Sequence, residues 1–182
     1  EYMMFKNLTN KKIILASKSP RRQELLKGLG LSFEIKIKTI DEDFPNTIDA
    51  CDVAPFLAQK KAEAFELSID EILITSDTTV LLTDHILNKP KNTEDAIEML
   101  KSLSGKTHQV CTGVCIKSTD KKVSFFDFCS VTFNQLSLVE IVPMSKNMYV
   151  RLVVLRVALV LRSLCSCCSL LRVACPSVIV FF

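Results

Sequence analysis

Ser17-Lys18-Ser19-Pro20-Arg21-Arg22 gathers two hydroxyls, an ammonium and two guanidiniums where an apolar run, Ile13 to Ala16, gives way to an amphipathic pattern with Leu25, Leu26 and Leu29. The run reads as a strand and Ser19 to Leu29 as a helix. Ser19 suits the N-cap, and Pro20 suits the first helical position, where its missing N–H would have been unpaired anyway. The free N–H groups of a first helical turn and the helix dipole favour an anion there. Guanidinium forks match phosphate oxygens. Cations oppose the dipole at a helix start, so two arginines at this place point to an anion among them. The competing reading is a Ser-Pro helix start with solvated arginines, and the local pattern leaves both open.

A second candidate is Asp77, set inside the otherwise apolar run ILITSDTTVLL. A carboxylate there must be paired, metal-bound or facing a cleft, because burying it alone is too costly. The functional reading is a metal ligand or a base that activates water; the competing one is a hydrogen-bonded carboxylate capping a loop. Lys89, held out of helical geometry by Pro90, is a candidate ligand contact. Lys60 and Lys61 form a pair of the kind that usually faces water, and Glu42, in the acidic cluster Asp41-Glu42-Asp43, is a candidate metal assistant. His85 and His108 show neither metal spacing nor a nucleophile partner and read as structural. Together the cation-rich helix start, the strand acid and the loop lysine make a phosphate–metal constellation: a phosphorylated ligand, with hydrolysis as the chemistry the acid would add.

The elements that must position these groups alternate along the chain. Ser32 to Ile37 reads as a second strand, Thr39 to Asp52 as a loop, and Val53 to Leu67 as a helix with a stripe including Leu57, Ala58, Ala62 and Phe65. Ile72 to Leu82 reads as a buried strand interrupted at Ser76-Asp77, and Asn88-Lys89-Pro90 as a turn. Asn92 caps a helix over Thr93 to Leu103, with Asp95 placed to reciprocate and Gly105 to stop it. Val110 to Lys117 and Val123 to Leu136 read as long antiparallel strands. The alternation predicts an α/β domain.

All 20 acidic residues lie at or before Glu140, together with 18 of the 23 basic ones. This near-balance argues against a general nucleic-acid binder. The polar stretch EYMMFKNLTNKK lacks an apolar h-region, so a cytoplasmic protein is expected. Cys51, Cys111, Cys115 and Cys129 sit in apolar patterns and read as buried, reduced thiols. Cys165, Cys167, Cys168 and Cys175 lack the paired C-x-x-C spacing of a zinc site.

The run LASKSPRRQELLKGLG, then IDED, LAQKKAEA, SDTTV, LNKP, DAIEMLKSLSGKTHQVCTGV and VTF, in that order over about residues 13–140, resembles the Maf family of nucleoside triphosphate pyrophosphatases. The resemblance implies a Maf/ITPase-like mixed twisted sheet flanked by helices, with a nucleotide cleft between two lobes. It implies hydrolysis of a nucleotide's α–β phosphoanhydride to a monophosphate and pyrophosphate, with a divalent cation, Mg²⁺ or Mn²⁺. By the same resemblance Asp77 matches the catalytic acid and a metal ligand, and Glu42 the other acidic metal residue. Ser17, Arg21, Arg22, Lys61 and Lys89 match phosphate-binding positions. Having both SPRR and SDTT resembles the branch acting on dTTP and UTP. The partner implied is a nucleoside triphosphate, with no nucleic acid and no membrane; a homodimer is left open.

Beyond about Glu140 the resemblance stops. Residues 142–182 are mostly Val, Leu, Arg, Cys and Ser, without Gly, Asp or Glu. Arg156, Arg162 and Arg172 cut the stretch into apolar pieces too short for a span of about 20 residues. The division is therefore a Maf-like domain over 1–141 and an atypical tail over 142–182, which leaves the C-terminal part of the fold incomplete or aberrant. Read one frame over, Pro143 to Val154 permits the family's Lys-Ala-Gly, so the tail is read as out-of-frame translation. Two alternatives stand beside the enzyme: a nucleotide-binding or division-associated protein without catalysis, including an inactive family member, and a membrane-surface protein driven by the basic tail.

Overall fold

Ile13 and Leu15 turn to one face of their strand and Ile14 to the other, the two-residue period of a strand buried on both sides. This strand is β1, Lys12–Leu15. The computed structural model describes residues 8, 10–83, 85–87, 90–146 and 178–181. The remaining elements are α1 (Pro20–Gly28), β2 (Phe33–Ile35), α2 (Val53–Glu63), β3 (Glu71–Leu82), β4 (His85–Leu87), α3 (Thr93–Leu103), β5 (Thr107–Lys117), β6 (Lys122–Phe133), α4 (Leu138–Lys146) and β7 (Val178–Phe181). The sheet is mixed, in the order β2-β1-β3-β5-β6-β7, with β4 paired to β3. β1 runs parallel to β2 and β3, while β3 and β4 are antiparallel. A mixed α/β fold with helices flanking a twisted sheet is therefore present, as expected.

The chain divides into two units. The first comprises Glu1–Ile48, Asp52–Asp77 and Gly113–Phe126; the second comprises Asp49–Cys51, Thr78–Thr112 and Asp127–Phe182. In the first, the parallel strands carry a helix on each face. Ile13 and Leu15 bury against Leu26 of α1, with Leu29, Leu31, Phe33 and Ile74 around them. Ile14, Leu73 and Cys115 bury against Ala58 and Ala62 of α2 and against Phe65. The small residues at 54, 58 and 62 let α2 lie close to the strands. At Gly113 the approach is tightest: a Cβ there would fall inside the backbone of Ala54 and Pro55.

In the second unit Val80, Val110, Cys129 and Val131 form one core, and Ala96, Leu100 and Ile141 join α3 to α4 in another. The α3 start follows the sequence: Asn92 Oδ1 accepts from the Asp95 N–H at 2.7 Å. The reciprocal bond is displaced by one residue, Asp95 Oδ2 accepting from Lys91 N–H at 3.2 Å. Gly105, at φ 67°, ends the helix in the left-handed region.

Two sequence expectations change. β3 runs unbroken from Glu71 to Leu82, because Ser76 and Asp77 keep extended backbone and place their side chains on opposite faces. Cys51 is exposed, while Cys111, Cys115 and Cys129 are buried thiols. Cys51 belongs to the turn that precedes α2, beside Asp52, so its apolar neighbours in sequence do not bury it. Helix α4 continues across residue 142 to Lys146 with Pro143 inside it; residues 147–177 lie outside the described residues. No helix among the described residues is long and apolar enough to cross a membrane.

Candidate functional site

The candidate side chains of the first unit come from the end of β1, the start of α1, the last turn of α2, the middle of β3 and the loop after β2. Ser17 follows β1 directly and is buried. Its Oγ accepts a hydrogen bond from the Ser19 N–H at 3.2 Å, while Gln23 Nε2 donates to its carbonyl oxygen at 3.4 Å. Ser19 holds the N-cap position with Pro20 next to it, as expected, but its own hydroxyl makes no capping bond. The hydroxyl that orders this turn belongs to Ser17, two residues earlier. The first turn of α1 contains no acidic residue, so Arg21 and Arg22 are the charges at this helix start.

Arg22 Nη1 donates to the Ser76 carbonyl oxygen at 2.8 Å. That bond ties the arginine-bearing helix start to the residue beside Asp77. On the opposite face of β3, Asp77 Oδ1 meets Lys61 Nζ at 2.5 Å, and the same ammonium meets Glu42 Oε1 at 2.8 Å. The Asp77 and Lys61 side chains are 13% and 17% exposed, against 48% for Glu42. The first pair is therefore shielded from water and Glu42 sits at the wetter rim. One ammonium between two carboxylates compensates charges that could not be buried alone.

Several residues that the sequence did not single out hold α2, and with it Lys61. Thr75 Oγ1 donates to the Ala58 carbonyl at 2.6 Å. Lys117 Nζ donates to the carbonyls of Ala62 at 3.0 Å and Phe65 at 2.7 Å, and Lys38 Nζ to that of Ala64 at 2.7 Å. These are the open carbonyls at a helix C-terminus, where cations also meet the negative end of the dipole. Lys60 donates to the Asp43 carbonyl at 2.8 Å, fixing the acidic loop beside Glu42. The signal for such roles is faint: lysines near loops are ordinary, and their targets lie many residues away.

The structure thus brings together Ser17, Arg22, Asp77, Lys61 and Glu42, with Arg21 adjacent to Arg22. Lys89 lies outside the described residues. His108 is buried against Phe133, with ring centroids 5.2 Å apart, and burial pushes its pKa down to about 4. That environment agrees with a structural reading. His85 lies on β4 and is exposed.

Such a set can bind polyanions through the arginines and the first-turn N–H groups, and can present a shielded carboxylate beside them. The donors that could hold a divalent cation are the two carboxylates of Glu42 and Asp77. Among the described residues no group of three or more His, Cys, Asp or Glu side chains is disposed to hold a metal alone. Two hard oxygen donors within reach of one atom fit a cation such as Mg²⁺, which takes one or two carboxylates and completes its shell with water and substrate phosphates.

The family model described as Maf-like protein matches residues 12–148. A dTTP/UTP pyrophosphatase of Flavobacterium psychrophilum is 47% identical over 137 residues, covering 74% of this chain and 70% of the relative. One of Parabacteroides distasonis is 46% identical over 141 residues, covering 76% and 73%. Among solved structures, the Staphylococcus aureus Ham1 protein overlaps 66% of this chain and 70% of its own, at 14% identity and a TM-score of 0.46.

Proposed function

Since the chain belongs to the Maf-like protein family, we propose that it hydrolyses the α–β phosphoanhydride of a nucleoside triphosphate, dTTP or UTP, to the nucleoside monophosphate and pyrophosphate. The names of its relatives support this substrate class. The observation that carries the chemistry is Lys61 bridging Asp77 and Glu42, beside the strand residue to which Arg22 is bonded.

In this reading Asp77 orients the attacking water and takes its proton as the water oxygen bonds to the α-phosphorus. The Pα–O bond to the β-phosphoryl group breaks and pyrophosphate leaves. Charge on the non-bridging oxygens is met by Arg21, Arg22, Lys61 and Lys89, with Ser17 ordering the turn that presents them. Glu42 and Asp77 would hold the divalent cation, which when bound neutralises phosphate charge. Lys61 then has a second role, keeping the two carboxylates compensated when no nucleotide is present. We assign the catalytic domain to residues 1–141 with a distinct tail over 142–182, and place the protein in the cytoplasm.

The test is product identity. With Mg²⁺ and dTTP or UTP, pyrophosphate and monophosphate should appear in equal amounts, and Asp77→Asn should remove both. Release of orthophosphate with a diphosphate would refute the assigned bond. Nucleotide binding without turnover would favour the non-catalytic alternative.

A further inference from the structure

Ser76 lies on β3 between two residues that turn toward α2: Thr75 bonds to Ala58 and Asp77 to Lys61. Strand side chains alternate, so Ser76 takes the other face together with Ile74. That is the face packed by Ile13, Leu15 and Leu26 under α1. The parallel register pairs Leu15 with Ile74, and the Ala16 N–H donates to the Ile74 carbonyl at 2.9 Å. Ser17 and the turn into α1 follow immediately, and Arg22 reaches down to the Ser76 carbonyl. Ser76 therefore sits beneath the arginine-bearing start of α1.

It is only 2% exposed, and its Oγ has no hydrogen-bond partner among the described residues. Proteins seldom keep a buried hydroxyl in that state, because alanine would remove the desolvation penalty at no loss of contact. A partner that arrives with a ligand resolves the difficulty. The helix start calls for an anion, and the hydroxyl on that face of the strand offers one more donor.

We infer that the Ser76 hydroxyl donates a hydrogen bond to a phosphoryl oxygen of the bound nucleotide, from the face of β3 opposite Asp77. The inference rests on the nucleotide reading given above and adds a phosphate-binding residue to it. β3 then serves the substrate on both faces: Asp77 addresses the attacking water and Ser76 helps fix the polyphosphate.

The test is titration calorimetry of the full chain with the α,β-methylene analogue of dTTP in Mg²⁺, wild type against Ser76→Ala, alongside thermal unfolding of both without nucleotide. The expected result is binding weakened about tenfold, as for loss of one hydrogen bond to a charged group, with the unliganded Tm equal to or above wild type. Ser76→Cys, nearly isosteric but a weak donor, should fall between the two. Unchanged affinity in Ser76→Ala overturns the inference. So does a lower unliganded Tm, which would show the hydroxyl already satisfied within the protein. Should the alanine variant not fold, wild-type affinity in Ser76→Cys overturns it equally. A wild type that binds no analogue defeats the nucleotide reading itself, an outcome distinct from equal binding by wild type and variant.

Discussion

Lys61 Nζ stands 2.5 Å from Asp77 Oδ1, a contact between the last turn of α2 and the middle of β3. The pair couples the stability of the helix end to the charge of the candidate base. Asp77→Asn keeps the shape and still offers Lys61 a carbonyl oxygen, but removes the base. Hydrolysis should fall by about 100- to 10,000-fold, the usual range for a lost general base. Binding of a non-hydrolysable nucleotide should remain measurable. Near-normal turnover in a pyrophosphate-release assay would take Asp77 out of the reaction.

Arg22 holds the Ser76 carbonyl at 2.8 Å through one arm of a planar fork. A lysine replaces that fork with a point charge on a different stem. Arg22→Lys should therefore raise KM for dTTP by roughly tenfold, as expected for loss of a charge-assisted bond. Steady-state kinetics with the variant checks this, and an unchanged KM would place Arg22 in a purely structural role.

Lys117 supports Lys61 from beneath by donating to the Ala62 and Phe65 carbonyls. Lys117→Met keeps the apolar stem and removes both donors. Stability should drop by about 1–2 kcal/mol, and kcat by roughly tenfold, because small misplacements of a catalytic group are costly. Urea unfolding and kcat measured on the same preparation separate the two effects. A stability loss with kcat intact would show that the α2 end does not set the position of Lys61.

His108, in the second unit, gives a pH signature of its own. Burial lowers its folded pKa from 6.5 to about 4, so the unfolded chain binds the proton more readily. The stability it contributes is complete above the unfolded pKa and is lost as pH falls from about 6.5 toward 4. At pH 5 the loss should be about 2 kcal/mol relative to pH 7.5. Denaturation at the two pH values, with His108→Phe as the variant that flattens the difference, measures it.

What could be read from the chain followed from local chemistry. Ser19-Pro20 marks the start of α1 and Asn92 that of α3, because caps and prolines act within one turn of themselves. The unbroken apolar run Ile13 to Ala16 reads as a strand, and the structure covers it on both faces. Asp77 stands out because a carboxylate in an apolar run demands a partner, yet nothing nearby says that the partner is Lys61, 16 residues away and of a type that usually faces water. Lys117 and Lys38 look like ordinary surface lysines until α2 is docked. Strand β4 is not legible in the sequence, because the turn before it uses Thr83 at φ 57°, a conformation β-branched residues rarely adopt. In the sequence Ser76 reads only as an interruption of an apolar run; its meaning depends on a hydroxyl left without a partner among the described residues.

The contacts of α2 with β5 have a geometric consequence. The helix start rests on Gly113, and its last carbonyls are held by Lys117, four residues further along the same strand. Four strand steps span about 14 Å, and the ten steps of an 11-residue helix about 15 Å. β5 is thus a ruler with a notch at one end and a clasp at the other, cut to the length of the helix it gauges. Adding or deleting one residue between the two marks would let only one of them engage. Lys61 would then miss its mark although every residue around it kept its identity.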